Sequence, residues 1–131
     1  GALADRLGRV WTIAAGWAVY ALAYVGFAYA GTAPQIWGLF AFYAVFYALT
    51  EGAQRALVAD LVSGDARGRA FGVFHASVGL AALPASILFG LWWKLWGPRA
   101  AFLIGAAIAV VATGALLAFR LRAGDDLRRE F

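Results

Sequence analysis

The chain has 131 residues, 64% of them hydrophobic and 14% charged, with a formal net charge of +4. About a quarter of a soluble domain is charged, so this composition cannot cover a water-facing surface and describes an integral membrane protein. With no cysteine and a single histidine there is no disulfide framework, no thiolate metal site and no metal-ligand spacing.

The chain lacks methionine, even at position 1, and is expected to be a fragment that begins inside a loop. Residues 1–9 form a short charged segment. Residues 10–30 carry no charge and, at about 1.5 Å per residue, are long enough to cross about 30 Å of hydrocarbon. Gly31 to Gln35 reads as a turn, with Gly and Pro as breakers. A second span is expected over 36–62, a polar loop over 63–69 and a third span over 70–93, kinked at Pro84. Lys94 to Arg99 reads as a compact loop around Gly97-Pro98, followed by a fourth span over 100–119 and a basic tail over 120–131.

Basic residues orient the spans. Arg6, Arg9, Arg67, Arg69, Arg120, Arg122, Arg128 and Arg129 share one side of a four-span arrangement, against Lys94 and Arg99 on the other. Eight against two predicts that both termini are cytoplasmic, in a cell inner or plasma membrane. Basic groups dispersed in short loops do not make a nucleic-acid-binding stripe. Trp11, Trp37, Trp92, Trp93 and Trp96 fall at span ends, where interfacial anchors belong, and Trp17 does not.

Polar groups inside the second span are the candidates for function, because an ionisable side chain in a span costs about 2.5–3.5 kcal/mol. Tyr43, Tyr47, Glu51 and Arg55 recur every four residues with Gln54 beside them, which places them on one stripe. Glu51 four residues before Arg55 is also the favourable order for an intrahelical pair. Two readings stay open: a structural pair that neutralises itself, or a cavity lining with a protonatable carboxylate, an amide and a fixed cation. Asp60, nine residues from Glu51, lies about 180° away on an ideal helix and should serve a different purpose. On the third span Gly68, Gly72, His75, Gly79, Ala82, Ser86 and Gly90 follow one face and read as a helix-packing seam. His75 on this face is either a hydrogen-bonded structural residue or a proton-relay group.

Gly1-Ala-Leu-Ala-Asp5-Arg6-Leu-Gly8-Arg9 resembles the signature loop G-x-x-x-D-[RK]-x-G-[RK]-[RK] of the major facilitator superfamily, with Val10 in place of the second basic residue. Arg67-Gly68-Arg69-Ala70-Phe71-Gly72 is similar to the R-G-x-A-x-G that often opens the span two helices later. The resemblance implies an all-α membrane protein of four transmembrane helices, part of a twelve-helix fold whose two halves rock about a central cavity. Four spans followed by a short charged tail resemble helices nine to twelve rather than three to six, and Gly97 to Phe102 is reminiscent of the start of the final helix.

The resemblance assigns Gly1, Asp5, Arg6, Gly8, Arg9, Asp60 and Arg67 to cytoplasmic gating. Asp5 would face a helix N-terminus of the missing half, and Arg9 would pair with Asp60. Substrate or proton coupling falls to Glu51 and Arg55, then Gln54, Tyr47 and His75.

The function expected is that of a secondary active transporter. Its partners would be the lipid bilayer, the missing helices of the parent transporter, a small-molecule substrate and a coupling proton or other ion. No covalent chemistry and no cofactor are implied, since no nucleophile, base and orienting group converge and no Gly-rich phosphate loop occurs. The alternative is a four-helix membrane scaffold or assembly subunit without transport.

Overall fold

The structure, a computed structural model, describes the backbone of residues 8–129 and the side chains of residues 8–122. Among these residues the regular secondary structure is all helix: α1 spans Arg9–Tyr29, α2 Ala33–Leu61 and α3 Ala66–Arg129. Each is long and apolar enough to cross a membrane.

α2 starts at Ala33, inside the expected turn. The Gln35 side chain accepts hydrogen bonds from the backbone N–H of Gly31 at 3.0 Å and of Thr32 at 3.3 Å, which satisfies donors that an open helix start leaves free. Pro34 falls in the first turn, where its missing N–H costs nothing.

The expected third and fourth spans belong to the single element α3, and the loop expected over 94–99 shrinks to one residue. Gly97 has φ 85° and ψ 171°, a conformation that a side chain would strain, and Pro98 restarts the helix at once. The bend is sharp. Thirteen residues of straight helix would separate Phe89 from Phe102 by about 20 Å, yet their ring centroids lie 5.3 Å apart. The element is therefore two arms, 66–96 and 98–129, folded back on each other. Pro84 keeps helical dihedrals, unlike Gly97, because its fixed φ suits a helix even where it removes a hydrogen bond. The tail expected from residue 120 continues the second arm as helix to Arg129.

α1 is the centre of the molecule, packed against both α2 and α3, whereas α2 and α3 meet little. Contacts fix both registers as antiparallel. Along α2, Arg9 meets Asp60, Tyr20 meets Phe46 and Phe27 meets Phe40. Along the second arm, Trp11 meets Arg120, Tyr24 meets Phe102 and Tyr29 meets Arg99.

The buried residues are small: Thr12, Ala14, Ala21, Ala23 and Ala28 on α1, Thr50 and Ala53 on α2, and Ala101 and Ala106 on the second arm, with Ile13 the largest. Leu22, Leu80, Leu83, Ile87 and Val111 are exposed. This inversion suits hydrocarbon as solvent. Lipid rewards no burial of leucine, so helices meet where small residues bring backbones together. Gly16 and Gly26 on α1 are such points, facing Thr50 and Leu39, and so is Gly105, where an added Cβ would lie 2.7 Å from the Tyr24 ring.

The seam expected on the third span is left unfilled among the described residues. Gly68, Gly72, Gly79 and Gly90 have open space where a Cβ would stand, because the first arm approaches α1 through Phe89 near its C-terminal end.

Candidate functional site

α2 supplies the polar groups, and its periodicity divides them. Thr50 and Ala53 turn toward α1, and the Thr50 hydroxyl satisfies itself by donating to the Phe46 carbonyl at 2.7 Å. Glu51 and Arg55, a step around the helix, form an ion pair one turn apart, Nη2 to Oε1 at 2.6 Å, and both side chains are 59% exposed. Tyr47 is exposed one turn earlier, its ring set edge-on to Tyr43 with centroids 5.5 Å apart. Tyr43 is half-buried against Tyr20 at 5.7 Å and Tyr24 at 6.3 Å. The expected stripe thus divides: Tyr43 belongs to the interior, while Tyr47, Glu51 and Arg55 face outward. Gln54 lies between these faces, half-buried. His75 is exposed on the first arm, its neighbouring rings Phe71 and Phe74 coming from the same arm.

The second group lies at the end of the molecule where α1 begins and α2 stops. Arg9 pairs with the Asp60 carboxylate and donates to the Ala56 carbonyl, joining the first turn of α1 to the last turn of α2. Asp60 is 57% exposed, so water screens part of this attraction. The Gly8 carbonyl accepts from both the backbone N–H and the hydroxyl of Thr12, each at 3.1 Å. Arg67 lies apart from the Arg9–Asp60 pair, its Nε donating to the Val62 carbonyl at 3.4 Å just past α2. Gly1, Asp5 and Arg6 lie outside the described residues.

Sequence reasoning missed an aromatic cluster at the centre. Tyr20 and Tyr24 stack at 4.1 Å, and Phe46, Phe89 and Phe102 close around them. Beside the cluster is a cavity of about 380 Å³, lined by Trp17, Tyr20, Tyr24, Phe46, Phe89 and Trp92 over small residues such as Ala85, Gly105 and Ala109. A signal was present: Trp17 is the tryptophan away from a span end, and Tyr20 and Tyr24 follow it at helical spacing. Arg120 counts as a topology charge in the sequence, and its guanidinium also lies over the Trp11 ring at 5.3 Å.

Long apolar helices, a core of small residues, exposed large aliphatics and an ion pair borne on a span together define an α-helical integral membrane protein. Its family follows from comparison. The chain belongs to the Major Facilitator Superfamily, whose family model matches residues 1–130. It is 42% identical over 119 residues to an uncharacterized MFS-type transporter of Methanocaldococcus jannaschii, an alignment covering 91% of this chain and 29% of that protein. The chain therefore spans less than a third of the length of that curated relative. No solved structure matches.

Proposed function

We propose that the chain is part of a secondary active transporter that moves a small solute by alternating access, coupled to an ion gradient. The observation that carries this reading is the Glu51–Arg55 pair, standing more than half exposed on a membrane-spanning helix. Lipid is a costly neighbour for two ionised groups even when they neutralise each other. A water-filled pathway between the halves of a larger protein is not. In this reading Glu51 carries and releases the coupling proton, Arg55 holds an anionic or polar group of the solute, and Tyr47 and Gln54 supply hydrogen bonds. His75 is assigned a secondary place because it neighbours its own arm rather than this face.

The four expected spans fall within a match to under a third of a relative's length, which accords with a parent of about twelve helices. We assign them to helices nine to twelve, with both termini cytoplasmic by the bias in basic residues. Arg9 and Asp60 then lie at the cytoplasmic end as a latch between α1 and α2. A self-sufficient four-helix scaffold would be expected to bury its own small-residue face, whereas Gly72 and Gly79 stand open.

The test is transport by the full-length protein in proteoliposomes, comparing wild type with Glu51→Gln across drugs, sugars and organic anions. Loss of proton-coupled flux with retained solute exchange supports the assignment of Glu51. A fully active Glu51→Gln protein makes the pair structural and refutes it.

A further inference from the structure

We propose that the crevice at the end of the molecule opposite the Arg9–Asp60 pair binds an anionic phospholipid, with Arg99 taking the phosphate and the adjoining cavity taking part of an acyl chain. The cavity measures about 590 Å³ and lies between α1, α2 and the bend of α3. Sites for small ligands are typically about 300–1,000 Å³. Its walls are mainly rings held by one another: Phe27 meets Phe40 at 5.1 Å and stacks on Phe102 at 5.4 Å, and Trp93 meets Phe102 edge-on at 5.9 Å. Such a lining offers an acyl chain a preformed apolar slot.

Arg99 lines the same cavity from the first turn after Pro98, and its guanidinium is held 4.8 Å over the ring of Tyr29. Among the described residues, both ion pairs use other arginines, Arg9 and Arg55. Glu51, Asp60 and Asp65, the acidic residues with described side chains, lie on the second half of α2 and in the turn after it, toward the opposite end. Among the described residues Arg99 is thus a cation without a carboxylate partner, at the mouth of an apolar cavity. Its level in the membrane is set by Tyr29, Trp37, Trp93 and Trp96, all exposed at this end, because such rings collect at the headgroup layer.

These observations select one occupant. A soluble anion would satisfy the guanidinium and leave the aromatic slot unused. A zwitterionic lipid would fill the slot while bringing its own cation to Arg99. An anionic phospholipid matches both, and a guanidinium is suited to bind phosphate through two parallel N–H donors.

The experiment is thermal unfolding of the full-length protein in detergent, titrated with short-chain phosphatidylglycerol, phosphatidylcholine of the same chain length, or glycerol phosphate. Phosphatidylglycerol is expected to raise the unfolding temperature at the lowest concentration, and glycerol phosphate is expected to have no effect. Arg99→Gln should weaken the apparent affinity for phosphatidylglycerol about fivefold, the factor for about 1 kcal/mol from one basic residue at an anionic surface. Lys94→Gln, at the same end but outside the cavity lining, should leave it unchanged.

Ala30→Trp fills the cavity from the end of α1 and should abolish the stabilisation without moving the lipid-free unfolding temperature. Equal responses from wild type and Arg99→Gln overturn the proposal. So does equal stabilisation by glycerol phosphate, which identifies a soluble anion. An equal loss in Lys94→Gln, which identifies diffuse attraction, overturns it as well.

Discussion

α1 and the first arm of α3 carry the same kind of sequence and meet opposite surroundings. Each is an apolar helix that carries glycines. On α1, Gly16 and Gly26 lie against α2, with so little room at Gly16 that an added Cβ would collide with Thr50. On the first arm, Gly68, Gly72, Gly79 and Gly90 meet open space. Small residues therefore mark where a backbone can be approached, and a neighbour within the chain decides whether it is. The filled face holds this chain together. The open face is left uncovered among the described residues.

The strongest challenge to this comparison is Gly16→Leu beside Gly79→Leu. A leucine at Gly16 must drive α2 away from α1, and we expect a loss of about 3 kcal/mol or more, read as a collapse in folded yield and unfolding temperature. At Gly79 the same change should stay within about 0.5 kcal/mol in this chain. Similar losses at the two sites would end the distinction between filled and open faces.

Gly105→Leu sharpens it, with an expected cost of about 2 kcal/mol. The obstructing group there is the Tyr24 ring, 2.7 Å from an added Cβ, and a ring on two torsions can yield more readily than the Thr50 methyl, held on the β-carbon of a stiff β-branched residue. A cost equal to that at Gly16 would show that Tyr24 is as immovable as α2.

A smaller effect is expected at the latch. A double-mutant cycle with Arg9→Ala and Asp60→Ala should give a coupling of about 1 kcal/mol or less that shrinks as salt is raised, because Asp60 is mostly exposed. Coupling that is unaffected by salt would mean that the pair is shielded by something beyond the described residues.

Smallest of all is the stability effect of Glu51→Gln, about 0.3–0.5 kcal/mol for an exposed pair one turn apart. Measured in the same preparation as proton-coupled flux, it separates roles. A small stability change with a large flux change places Glu51 in transport, and the reverse makes it a helix staple.

Parts of this arrangement were legible in advance. The Glu51–Arg55 spacing identifies a pair because residues four apart face each other on any helix. The nine-residue separation of Asp60 from Glu51 places it on another face for the same geometric reason, and Asp60 does meet Arg9 instead. Gln35 was harder to read: Gly31 and Pro34 signal a turn, while the bonds that make Gln35 part of a helix start depend on its side chain folding back. Gly97 and Pro84 show a similar limit. Both are breakers by type, yet only Gly97 adopts dihedrals that a helix cannot hold.

The sequence by itself determined the solvent, the length of the apolar segments and the charge asymmetry between their ends. These depend on hydropathy summed along the chain and on the thickness of hydrocarbon, and no contact is needed to read them. Tertiary structure alone decided that α1 is central, that Tyr43 turns inward while Tyr47 turns out, and that Arg99 stands at the mouth of an aromatic cavity. The physical reason is the membrane itself. Lipid accepts leucine, valine and phenylalanine on every side of a helix, so polarity does not label the buried face. Only the fit of one backbone against another, at residues such as Gly16 and Thr50, selects which faces meet.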